Sequence, residues 1–480
     1  MVSASNDVDA VVVGSGPNGL AAAITLARAG RSVRVIEAND TIGGASRSAE
    51  ITEPGFVHDL GSAIQPMVKV SPFFVSIADQ LVDEGLTWVT PPASVAHPLD
   101  DGRAAIGWHD LERTVDGLGA DGAAYRRYFS RWVDNVDIVA DLALNPVMRV
   151  PPSPVFSARF GAASALPALT AARRTWSSDE ARALFIGQAA HSFMPLTAPF
   201  TTSFAIVLGT LGHSHGWGFP EGGAQSIVDA MAALLRKLGG EIVTGHRVSS
   251  LDELPSSRAI VLALTPRQVE RIAGNTFDEK YRRGLREFRY GPAASKVDFA
   301  LDEQIPWTNP DVASAGTVHV GGSTDEIVAA EQAVNDGHHA ERPFTLVAQH
   351  TLFDPTRAPE TKHTAWAYCH VPNGSTIDQT EVIISQIERF APGFRDIIRS
   401  SHTALPADLE ARNANLVGGD IGGGSYSGSQ LLLRPRAQIN PYSTPDPRIF
   451  ISSASASPGA GIHGMSGAGA AQRALETVLK

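Results

Sequence analysis

The segment from Asp9 to Glu37 constrains this chain more than any other. A short apolar run, Asp9-Ala-Val-Val-Val13, stops at Gly14, and Gly14-Ser-Gly16-Pro17-Asn18-Gly19 opens an Ala- and Leu-rich stretch to Ala29. Gly30 is placed to cap that stretch, and Ser32 to Ile36 forms a second apolar run before Glu37. By period and punctuation this is strand, helix, strand. Such a βαβ unit uses its glycines for distinct purposes. Gly14 allows the tight turn, Gly16 lets the backbone approach a pyrophosphate, and Gly19 lets helix and strand pack closely. The helix N-terminus offers free N–H groups and a partial positive charge to the phosphates. Glu37 stands 18 residues after Gly19, where a carboxylate accepts both hydrogen bonds of an adenosine ribose and disfavours a 2′-phosphate. A lone GxGxxG is weak; with strand, helix, second strand and acid at these distances it predicts a dinucleotide site.

Composition removes several alternatives. A chain of 480 residues exceeds one growing core, so two or more domains are expected. With 39 basic and 50 acidic residues the net charge is −11, which argues against a nucleic-acid partner. The one cysteine, Cys369, rules out an intramolecular disulfide, a Cys metal site and a redox Cys pair, and it reads as a small buried hydrophobe. Met1 to Asp9 lacks the basic-then-apolar pattern of a signal peptide. The longest apolar runs, such as Phe204 to Leu208, are far short of a membrane span. A cytoplasmic protein is expected, with peripheral contact to a membrane left open.

The remainder alternates between two kinds of pattern. From about Ser71 to His215 helical stretches dominate, broken at Pro91-Pro92 and Pro151-Pro152. After Gly216-Trp-Gly-Phe-Pro-Glu-Gly-Gly223 a helix is expected from about Ala224 to Leu238, and Glu241 to Val243 and Ala259 to Ala263 read as strands returning to the first sheet. From Gly291 to Asn440 strand-like runs (Lys296 to Leu301, Phe344 to Gln349) mix with helices such as Gln379 to Phe390. Arg448 to Lys480 reads as strand, Gly-rich loop, helix. There is no internal repeat, and no separate NAD(P)H domain is expected. The fold class is α/β plus α+β. A discontinuous Rossmann-type domain (1–70, 216–290 and 441–480) is interleaved with a substrate domain (71–215 and 291–440).

Thr41-Ile-Gly43-Gly44-Ala-Ser-Arg47 follows Glu37 and its neighbour Ala38 directly. Residues 11 to 62 resemble the glutathione-reductase-type FAD fold, in the branch that holds amine oxidases and phytoene desaturases. The resemblance implies FAD as cofactor, with Gly43, Gly44 and Arg47 meeting its phosphates. It also implies that Gly55-Phe-Val-His58-Asp-Leu-Gly61-Ser62 runs beside the flavin. Val243 to Val248 resembles the strand whose valine backbone meets the adenine; the hairpin usual after it is shortened to Ser249 to Ser257.

Near the other end, Ile449-Phe-Ile-Ser-Ser-Ala454-Ser455-Ala-Ser457-Pro458-Gly459-Ala-Gly461-Ile462-His463-Gly464 resembles the C-terminal motif of bacterial phytoene desaturases. A helix is expected to start near His463, with backbone N–H groups facing the pyrimidine end of a flavin. Ala454 stands where amine oxidases carry an acid, and Ser457 where phytoene desaturases commonly carry a histidine. Gly216 to Gly223, Tyr368 to Asn373, Gln386 to Gly393 and Gly418 to Ile421 make nearly the whole chain similar to the pyridine nucleotide-disulphide oxidoreductase domain-containing protein 2 group.

Two side chains are candidates for catalysis. Ala294-Ser-Lys296-Val-Asp-Phe-Ala-Leu301 resembles the amine-oxidase strand whose lysine holds a water beside flavin N5, although the alternation equally puts Lys296 on a solvent face. His463 is aimed by its loop at the flavin or substrate, or is an ordinary helix N-terminal histidine; His58 ranks below both. His213-Ser-His215 has metal-like spacing without a third ligand nearby, so no metal is expected. The expected reaction carries hydride from an apolar or amphipathic small molecule to flavin N5, with oxygen or a quinone taking the electrons onward. A non-redox flavin-dependent isomerase and a non-catalytic FAD-binding interaction protein are the rivals.

Overall fold

The computed structural model describes residues 7–480, so most of the Met1 to Asp9 reading lies outside the described residues. A five-stranded parallel sheet has the order Ile449–Ile451, Ser257–Leu262, Val8–Val13, Val33–Ile36, Glu241–Val243. Ala10 and Val12 point to one face, against the helices Pro17–Arg28, Gln225–Lys237 and Met465–Thr477. Val11 and Val13 point to the other, against the helices Pro266–Ala273 and Glu279–Arg286. Both faces are covered, which is why these strands are continuous apolar runs without alternation. A Cβ at Gly19 would overlap the carbonyl oxygen of Gly14, and Gly30 holds φ +74° just past the first helix.

The second layer is a seven-stranded sheet in the order Ile398–Ala404, Ala293–Leu301, His363–Val371, Thr345–Ala348, Ala315–Val320, Ala93–Pro98, Ala104–Trp108. All its pairings are antiparallel except Ala315–Val320 with Ala93–Pro98. The last two strands lie within the stretch after Ser71 that reads in sequence as dominated by helices. Ala93–Pro98 is short, Ala-rich and bracketed by prolines, and it becomes a strand by pairing with Ala104–Trp108 on one side and with Ala315–Val320, more than two hundred positions away, on the other. Helices do dominate from Leu111 to Ser214 and cover one face of this sheet. The helix Thr380–Glu388 covers the other.

The structure decides three local readings. Every residue of Ala293–Leu301 is buried, because the strand is central and covered on both faces, so Lys296 has no solvent face. The strand Glu241–Val243 has the expected bounds, and the segment on to Val248, which resembles an adenine-binding strand, is not strand. Gly245 turns the chain at φ +69°, its N–H bonding the carbonyl of Asn39 and that of His246 the carbonyl of Glu37. The final helix begins at Met465, two residues after His463, with Gly464 as its N-cap.

Candidate active site: one cavity between two sheets

A single cavity of about 1030 Å³ runs from the carboxyl edge of the parallel sheet to the face of the seven-stranded one. That is at the upper end of pockets that take one small ligand, ~300–1,000 Å³. At one end lie Gly14, Gly16, Pro17, Asn18, Gly19, Glu37, Ala38 and Gly44; Gly61 and Ser62, then Val248, Ser455, Gly461 and Ile462 continue the wall. The structure thus brings together most of the residues that sequence placed at a dinucleotide, although they come from both ends of the chain. The glycines form a cradle without side chains: a Cβ on Gly44 would stand 3.1 Å from Cα of Gly16.

Glu37 has work inside the protein as well. Its Oε2 accepts from the Ser15 N–H at 2.9 Å and Ser15 Oγ at 2.7 Å, and its Oε1 from the Asn39 N–H at 2.9 Å and Nδ2 at 3.0 Å. The carboxylate therefore ties the first glycine turn to the end of the second strand.

Arg47 does not line the cavity. Its guanidinium donates to the carbonyls of Gly44 at 3.1 Å and Arg412 at 2.7 Å, and burial pulls its pKa down. Gly43 is likewise behind the wall, where a Cβ would press on Ser46 and Val228. Arg412, which sequence reasoning missed, is on the wall. Its Nη2 donates to His402 at 3.1 Å, while Nη1 has no protein partner. The loop behind it is fixed to the parallel sheet's edge, because Asn415 Oδ1 accepts the Thr265 N–H at 2.9 Å. Nothing local in Ala411-Arg412-Asn413 signals this position; it exists only once the loop has docked.

His463 is withdrawn from the site. It is buried outside the cavity wall, with Nε2 3.2 Å from the Gly459 carbonyl and Nδ1 accepting the Met465 N–H at 3.0 Å. It staples the loop to the final helix, and burial pushes its pKa down to about 4. His58 also stands behind the wall. Its Nε2 is 2.7 Å from Thr52 Oγ1 and its Nδ1 is 3.7 Å from Asp298; burial holds it near about 4.

Lys296 is on the cavity wall and forms a buried ion pair with Asp298, two residues along on the same side of the strand. Around it the wall is apolar and aromatic: Leu346, Trp366 and Tyr368 from the sheet, then Phe200, Phe204 and Leu208 from the helix side. Trp366 and Tyr368 stack with ring centres 5.6 Å apart. Glu37 is the one carboxylate side chain on the whole wall among the described residues.

The loop Gly418 to Gly424 borders this space but is pinned, not loose. Asp420 is buried and accepts the N–H groups of Gly291, Gly422 and Gly424 at 2.7–2.8 Å. Its pKa is still raised by burial. Cys369 is buried and its thiol is pushed up to about 12, an inert hydrophobe as read. His213 bonds Tyr125 Oη and the Trp108 carbonyl, both at 2.9 Å, and no cluster that could hold a metal occurs among the described residues.

Comparison with known proteins agrees with this geometry. The sequence profile of the family described as flavin containing amine oxidoreductase matches residues 18–475. Pyridine nucleotide-disulfide oxidoreductase domain-containing protein 2 of Rattus norvegicus is 24% identical over 97% of this chain and 93% of its own. Phytoene dehydrogenase of Streptomyces griseus is 27% identical over 88% of this chain and 82% of its own. An oxidoreductase from Methanosarcina mazei superposes with a TM-score of 0.65 at 17% identity, covering 98% of this chain and all of that one.

Proposed function

The chain belongs to the flavin-containing amine oxidoreductase family, and from that premise we propose that this FAD-dependent oxidoreductase oxidises an uncharged, apolar or amphipathic small molecule at a C–C or C–N bond. The observation that carries the choice of substrate is the absence of any carboxylate from the aromatic end of the cavity among the described residues. A substrate ammonium buried there would lack an anion, at a cost of several kcal/mol. An alkyl or polyene chain meets an apolar and aromatic surface that includes Phe200, Phe204, Leu346 and Trp366.

The residues present fit FAD. The glycine cradle takes a pyrophosphate without steric cost, and Arg412 supplies the cationic nitrogen that lacks a protein partner. FAD, when bound, supplies the two-electron oxidant. Asp298 holds the Lys296 side chain in place on the wall, where its ammonium favours negative charge developing nearby. The aromatic wall excludes water and orients the chain.

The cavity mouth supports loading from an apolar phase. Val147 and Leu432 line the cavity and are also exposed, and Met148 and Ile439 join them around a shallow neighbouring depression. Exposed apolar groups clustered at an entrance mark a contact surface. No helix among the described residues is long and apolar enough to cross a membrane, so contact would be peripheral. Oxygen or a quinone then takes the electrons onward. The test is anaerobic bleaching of the bound flavin by a panel of polyenes, long-chain amines and terpenoid alcohols. Bleaching by uncharged apolar members is expected; bleaching by charged amines alone overturns the substrate class.

A further inference from the structure

The cavity wall carries one histidine that no motif pointed to. His191 follows the helix Asp179–Ala190 and opens onto the cavity; His319, in the strand Ala315–Val320, lies completely buried behind it. Their Nε2 atoms face each other at 3.0 Å. Two imidazole nitrogens at that distance hold one hydrogen between them, one ring donating and the other accepting. Packing fixes the arrangement. The Trp217 ring meets His191 edge-on at 5.7 Å, and the lack of a side chain at Gly187 makes room for the His319 ring. His191 Nδ1 has no partner in the protein and is not sealed off, so it is the nitrogen left for the cavity.

We propose that His191 is the base that takes the substrate's proton through Nδ1, with His319 as the positioning residue that accepts its Nε2–H and shares the resulting charge. This rests on the oxidation of a C–C bond proposed above. One C–H bond gives its hydrogen and both electrons to the flavin, which is the oxidant. The adjacent C–H bond leaves its electron pair in the new double bond and its proton on His191. No other reactant is needed.

The surroundings favour a base that starts neutral. The ionisable groups near the pair are His97, whose Nε2 lies 2.7 Å from the Gly322 carbonyl, and His370, whose Nδ1 lies 2.7 Å from Glu331. No carboxylate touches either ring of the pair, and burial pushes His191 down to about 3 and His319 well down, so both rings start neutral. Such a base is weak. A carbon next to one that is losing hydride is electron-poor, and its proton needs no stronger acceptor. The N–H···N bond becomes charge-assisted when the proton arrives, which strengthens it at that moment.

The test uses the holoenzyme under anaerobic conditions with a panel compound that bleaches the wild-type flavin. His191→Gln should slow flavin reduction about 100-fold or more, the range of a lost general base, while FAD content and ligand affinity hold. His319→Leu should keep most of the reduction but shift its pH profile. Nitrogen-15 spectra of histidine-labelled holoenzyme should show a coupling across the hydrogen bond between the two Nε2 atoms, with the hydrogen on His191. Wild-type reduction rates in His191→Gln, or no such coupling, overturn the proposal and leave the proposed function standing. If nothing bleaches the wild type, the proposed function falls and this proposal with it.

Discussion

Arg357 donates through Nη1 to Asp59 at 2.6 Å, across 298 residues of sequence, with both side chains buried. Arg357 Nε also donates to Asp354 at 2.9 Å. The two carboxylates then accept the N–H groups of Ala224 and Gly222, at 2.7 and 2.8 Å. This explains the Gly216 to Gly223 motif, which has no chemistry of its own. It is the turn that this cluster grips where the two sheets meet.

Arg357→Met should therefore be strongly destabilising. It leaves two buried carboxylates without their cation, a change that costs about 3–5 kcal/mol in comparable pairs. Urea unfolding monitored by flavin release should show the lower midpoint. A midpoint within error of wild type contradicts the clamp.

Gly19→Ala tests the cradle. The added methyl overlaps the Gly14 carbonyl, which is backbone and can move only by opening the turn. The Kd for FAD, from titration of the apoprotein read at 450 nm, should rise at least tenfold, a loss of about 1.4 kcal/mol or more. Gly30→Ala, with nothing within 4 Å of its Cβ, should keep its flavin and pay only the strain of φ +74°.

Lys296→Met strands Asp298 in the interior, whereas Lys296→Met with Asp298→Leu removes both charges. Breaking a buried pair costs more than replacing it with apolar groups. The double variant should melt above the single one, and both should reduce their flavin more slowly than wild type. If the single variant melts as the wild type does, the ion pair carries no energy.

Acid should destabilise the fold through its buried neutral histidines. Burial holds His97 and His213 near about 4 in the folded protein, against about 6.5 when unfolded. The unfolded chain thus binds protons first, so stability present above pH 6.5 is lost as pH falls towards 4. Each histidine contributes on the order of 3 kcal/mol to that loss. Melting temperatures measured from pH 7.5 to 4.5 should fall steadily; a flat profile contradicts the neutral buried histidines.

The cofactor end was legible in sequence because its parts are local. A strand, a glycine turn and a helix follow one another within Val8 to Arg28, and backbone geometry alone demands those glycines. The aromatic end was not legible. His191 and His319 meet only because a helix end and a strand 128 residues apart pack together. His463 misled for the opposite reason. Its loop is a local signal, but the ring turns inward to cap the Met465 N–H. Arg47 and Arg412 exchanged places similarly, since the first spends its donors on the second's carbonyl.

The central claim is net two-electron oxidation of an apolar molecule held between the glycine cradle and the Lys296 wall. Mass spectrometry of the product after one anaerobic turnover, with enzyme-bound FAD as the sole oxidant, tests it directly. The account predicts a product lighter by two hydrogen atoms, in an amount equal to the flavin bleached. A product of unchanged mass, formed without net bleaching, would make the protein an isomerase and contradict the account.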